Sequence, residues 1–127
     1  MELYTFVLCG EELNWSHCLA GAFKELKMVF ITQLIYIQEG QEDVFHQFED
    51  IAIPIIAKYN GRLLLRVRPN DDSFIETAID KPYEIHLVEF TSEQDLKNFM
   101  LDEERKKFLH LKEQSIQSSV LYKGVKL

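Results

Sequence analysis

The chain has 127 residues, of which 46% are hydrophobic and 12% aromatic, enough for one buried core but not for two ordinary domains. Its formal net charge of -7 opposes the basic surface that phosphate backbones need, so no nucleic-acid partner is expected. No basic n-region opens the chain and no apolar run reaches the roughly 18 residues of a membrane span, so the expectation is a soluble cytoplasmic protein without a membrane partner.

Residues 1–27 read as an N-terminal extension, with Leu3–Leu8 as a possible strand and Leu13–Lys27 as a possible helix. Cys9 and Cys18 form no CxxC pair and read as reduced thiols. With His17 they fit no finger or ribbon spacing and lack a fourth ligand, so no metal site is expected there. Trp15 reads as a packing anchor.

The main domain is expected over residues 28–127. Val29–Ile37, VFITQLIYI, is β-branched and aromatic on both alternating faces, as in a strand covered on both sides. Gly40 breaks it. Phe45, Phe48, Ala52, Ile55, Ile56 and Tyr59 then recur at three-and-four spacing, which predicts a helix over 41–59, with Pro54 inside it and a kink near residues 50–54. Asn60-Gly61 supplies a left-handed stop, and RLLLRVR predicts a second strand over 62–68. The turn-rich stretch 69–82 is long for a hairpin loop, and a third strand is predicted over 83–90.

Ser92 can cap a second helix, whose apolar positions are Leu96, Phe99, Met100, Phe108 and Leu111 and which can break near Leu101 or Asp102. His46 and His110 fall within helical patterns. A closing strand is expected over 115–123, where apolar and polar residues alternate. The order βαββαβ predicts an α+β domain of the ferredoxin-like type, an antiparallel sheet with its helices on one face. Both faces of the first strand are apolar, so the helix-free face calls for a partner subunit, and a homodimer is expected.

Tyr59-Asn60-Gly61-Arg62 is similar to a Tyr-Gly-Gly-Arg turn, and Val88-Glu89-Phe90-Thr91-Ser92 is similar to a Glu-Phe-Pro-Ser strand end. Both belong to an uncharacterised family of small bacterial proteins within the dimeric α/β-barrel superfamily, which residues 28–127 resemble. Asn60 stands for that family's first glycine and Thr91 for its proline. The resemblance implies two sheets packed face to face and, as one possibility, a cofactor-independent monooxygenase or isomerase. The haem-degrading branch of the superfamily uses an Asn, Trp and His set; here the first strand offers Thr32 and Gln33, and residues 28–127 contain no tryptophan.

The candidate site lies on the central hairpin. By a period of two, Arg62, Arg66 and Arg68 share one face of the second strand, and Glu84 and His86 share one face of the third. If these sets coincide, Arg62, Arg66 and His86 can hold a small anion; otherwise the charges guard a sheet edge. Glu89 is either a buried base or the partner of an arginine or lysine. No Walker loop, dinucleotide fingerprint, HExxH or GxSxG occurs, and no cofactor is expected. Three functions follow: a small-molecule-binding dimer of unknown activity, a cofactor-independent enzyme, or a purely structural dimer.

Overall fold

The computed structural model describes residues 27–126, so the readings made for the N-terminal extension lie outside the described residues. The elements are β1 (Val29–Ile37), α1 (Glu42–Ile56), β2 (Gly61–Val67), β3 (Glu84–Phe90), α2 (Glu93–Met100), α3 (Glu103–Lys107), α4 (Leu109–Ser115) and β4 (Ile116–Gly124). The four strands form one antiparallel sheet in the order β2-β3-β1-β4. Among the described residues, no helix is long and apolar enough to cross a membrane.

The first half follows its local chemistry closely. β1 occupies the predicted range, and Pro54 is held inside the last turn of α1, where its missing N–H leaves one carbonyl without a helical donor. A turn of 3-10 helix over Ala57–Tyr59 ends on Asn60, whose φ of 59° is left-handed. Gly61 follows because nothing larger fits: a Cβ there would lie 2.5 Å from Phe90 Cε1 and 2.7 Å from Ile56 Cγ2.

The second helical region breaks twice. Ser92 Oγ accepts from the Asp95 N–H and starts α2. Asp102 starts α3 by accepting from the Arg105 N–H at 2.8 Å while Tyr59 donates to its other oxygen at 2.6 Å. The break near residue 101 is thus a capping event that ties α3 to the end of α1. A further break at Phe108 separates α3 from α4, a division that the apolar spacing does not reveal.

Register divides the side chains between two faces. On the helix-covered face lie Val29, Ile31 and Ile35 of β1 with Glu84, His86, Val88 and Phe90 of β3, all buried. Val29, Ile31, Ile56, Val88 and Phe90 form a core cluster against which Leu96 and Phe99 of α2 pack. The opposite face carries two cross-strand rows, Val67-Ile85-Leu34-Val120 and Leu65-Leu87-Thr32-Tyr122. Nothing in the chain as described covers it, and Leu65, Val67, Val120 and Tyr122 are exposed.

One expectation needs correction. Leu63 pairs with Val88 and Leu65 with Leu87, so Leu64 is an extra residue that bulges β2. The bulge reverses the alternation: Arg62 lies across from Glu89 on the open face, whereas Arg66 lies across from His86 on the helix face. The three hairpin arginines therefore do not share a face, because the period of two holds only while the ladder is regular.

Candidate functional site

The residues singled out on the hairpin separate into two groups. On the open face, Arg62 Nε and Nη2 lie 3.0 and 2.9 Å from Glu89 Oε2. This is the arginine partner expected for Glu89 as the alternative to a buried base. On the helix face, Glu84 is completely buried, and its two oxygens accept from Arg66 Nε at 2.7 Å, His86 Nε2 at 2.5 Å, and Arg68 Nη2 at 2.7 Å. Burial alone raises the Glu84 carboxyl, but the hydrogen bonds from His86, Arg66 and Arg68 outweigh it and hold the group at about 2. Glu84 is therefore ionised at neutral pH, and His86 Nε2 carries the hydrogen between them. Both arginine groups thus already have their carboxylate.

Beside this cluster, between helices and sheet, is a cavity of about 110 Å³. Its sheet side is formed by Ile31, Gln33, His86, Val88 and Leu121, and its helix side by Phe48, Glu49 and Ala52 of α1, Phe99 of α2, Arg105 of α3 and Lys112 of α4. Glu49 is buried, accepts no hydrogen bond among the described residues, and has His86 Nε2 3.9 Å from its Oε1. Burial pushes the Glu49 carboxyl up, against the pull of His86. Glu49 and Glu84 thus bracket one imidazole with opposite tendencies, one carboxyl inclined to keep a proton and the other to stay ionised.

The cations facing the cavity are poorly compensated. Arg105 is buried, donates to the Met100 carbonyl at 3.3 Å and lies over the Phe99 ring, but forms no ion pair among the described residues. Lys112 likewise forms none. Burial lowers the affinity of both for their proton, partly offset by Glu49. Their surroundings favour an anion over a cation. Glu49, Glu84 and His86 come within 4.8 Å of one another, a spacing compatible with a metal ion. The donor set argues otherwise: Arg66 and Arg68 occupy Glu84, and Arg105 and Lys112 act on Glu49, so the carboxylates a cation would need already have positive neighbours.

Of the sequence-stated candidates, the cavity thus takes in His86, with Arg66 behind it, and excludes Arg62 and Glu89. Glu49, Arg105 and Lys112 were not legible as site residues. A signal did exist for Glu49, since positions 45, 48, 49 and 52 follow helical spacing and place an acid within the apolar stripe. His46 instead shares a hydrogen bond of 2.8 Å with the Tyr83 hydroxyl, away from the cavity, and serves packing at the start of α1.

Neither a family model nor a curated protein matches the chain in sequence. Solved structures do match in shape. A protein of unknown function from Rhodopseudomonas palustris superposes with a TM-score of 0.69 at 9% identity, covering 92% of this chain and 95% of that one. A Dabb family protein with a ferredoxin-like fold from Mesorhizobium loti gives 0.60 at 13% identity, over 80% and 98% of the two chains. The chain has a ferredoxin-like fold. A dimeric ferredoxin-like protein of unknown function from Bacteroides fragilis is similar to it with a TM-score of 0.58 at 13% identity, over 78% and 96%. At these identities the likeness carries the fold and no activity.

Proposed function

We propose that this protein binds a small organic anion in the cavity between helices and sheet, and that Glu49 and His86 exchange a proton with the bound molecule. The observation that carries this reading is the buried Glu49 carboxyl, which accepts no hydrogen bond among the described residues and stands 3.9 Å from an imidazole fixed by Glu84. The side chain is buried while its unbonded oxygens keep some access at the cavity it lines, so their bonding capacity is available to a molecule held there. The cavity is somewhat smaller than the roughly 150 Å³ that holds benzene, so it suits a compact group. A cofactor-independent isomerase is the second reading, supported by Glu49, a cavity carboxyl that burial inclines to keep its proton and that stands 3.9 Å from His86.

The functional unit is proposed to be a homodimer joined through the open sheet face. The rows Val67-Ile85-Leu34-Val120 and Leu65-Leu87-Thr32-Tyr122 form a largely apolar surface that the described residues leave uncovered, and a similar structure is described as dimeric. Sedimentation at micromolar concentration should give a dimer, and Leu87→Lys should give a folded monomer. A monomeric parent protein would end the dimer reading.

Ligand binding is tested by thermal shift with small carboxylic and phosphoric acids, comparing the native protein with Ala52→Leu, which fills part of the cavity. Stabilisation of the native protein that disappears in a folded Ala52→Leu variant supports the reading. Stabilisation that survives in the variant, or none at millimolar ligand, refutes it.

A further inference from the structure

The cavity is not uniform. Along the covered sheet face, the row Arg66-His86-Gln33-Leu121 carries its polar end, with Glu49 and Lys112 above it. The next row, Leu63-Val88-Ile31-Lys123, is apolar until its last member and faces α2. From that end a surface groove leads outward between α2 and β4, lined by Ile31, Leu96, Met100, Leu101 and Leu121, with Lys97 and Lys123 at its borders. Ile31, Leu96, Met100 and Leu121 line the cavity and the groove alike, so the two adjoin and share one apolar wall. Met100, Leu101 and Leu121 are 46%, 62% and 51% exposed, an apolar strip left open at the mouth of a charged interior.

From this gradient we propose that the ligand is a monocarboxylic acid with an unbranched hydrocarbon tail, bound with its carboxylate inside between Arg105 and Lys112 and its tail running out along the Met100–Leu121 groove. The proposal rests on the cavity-binding reading and gives it a ligand class. Two arguments fix the orientation. The interior supplies two cations without ion pairs among the described residues, together with His86 and Glu49, either of which can donate a hydrogen to a carboxylate oxygen when protonated. The interior is also too small for more than a head group and a few carbons, so any longer molecule must leave through the groove. Lys123 is already held by Glu93 at 2.8 Å, which leaves the groove wall mostly apolar and unsuited to a second anionic group.

Isothermal titration with the linear acids from acetate to decanoate, each paired with the 1-alkanol of equal chain length, tests this. Affinity should rise about fourfold per methylene until the tail clears the groove. Each acid should bind at least tenfold more tightly than its alkanol. Lys112→Met should lower the acid-over-alkanol preference, with Arg105 retaining part of it, and Met100→Glu, at a half-exposed position, should flatten the chain-length series. Equal binding of acids and alkanols would overturn the head-group assignment, and a flat series in the native protein would overturn the tail path. In either of those results the cavity reading survives if Ala52→Leu abolishes binding; titrations without heat for any compound would overturn both.

Discussion

Glu84→Gln is the substitution with the clearest consequence. The side chain has no exposure, and its charged form is favoured by a shift from 4.5 to about 2, which at about 1.36 kcal/mol per unit corresponds to roughly 3 kcal/mol. Most of this should reside in the dry His86 bond, because the Arg66 and Arg68 side chains are 31% and 46% exposed and water can replace their partner. A carboxyl whose folded value is depressed stabilises the fold fully above its unfolded value and loses that contribution as pH falls toward the folded one. The difference between native protein and Glu84→Gln should thus be about 3 kcal/mol at pH 7, corresponding to roughly 10 °C in Tm. It should shrink to about half by pH 3. Urea denaturation of both proteins at pH 7, 5 and 3 measures it, and other carboxyls titrate in both and largely cancel. A gap that stays constant from pH 7 to pH 3 would refute the claim that Glu84 is ionised and held by Arg66, Arg68 and His86.

Substitutions at three further positions test the local geometry. Gly61→Ala drives a Cβ into Phe90 and Ile56 and should cost about 1–3 kcal/mol, seen as a lower urea midpoint at unchanged slope. Asn60→Gly should be nearly neutral, while Asn60→Ala, forced to keep a φ of 59°, should lose about 1 kcal/mol in the same assay. Arg62→Ala should change stability by less than about 0.5 kcal/mol, because its partner bond lies on a side chain that is 72% exposed; a loss comparable to that of Glu84→Gln would show that the open-face pair is buried in an assembly.

The difference between Arg62 and Arg66 shows where reading the chain one residue at a time stops. Strand periodicity places Arg62, Arg66 and Arg68 together, and each lies in or beside β2 as expected. A single extra residue in the ladder, Leu64, sends Arg62 to the other face. The run Leu63-Leu64-Leu65 is the only local trace of it, an apolar triplet where alternation should hold. The break between α2 and α3 was legible as a change of pattern, but that Asp102 caps α3 while accepting from Tyr59 depends on two segments meeting in space.

What the chain itself determines is the element order and most boundaries, because the three-and-four spacing of α1, the β-branched run of β1 and the Asn60-Gly61 stop are local properties of backbone and side chain. What only the tertiary structure decides is the chemistry of the interior. Glu49, His86, Arg105 and Lys112 come from four elements, and their placement depends on register, the bulge and the way α3 and α4 pack against α1. The protonation of Glu49 and of Glu84 follows from the same cause, since burial and neighbouring charges, absent from any linear pattern, pull the two in opposite directions.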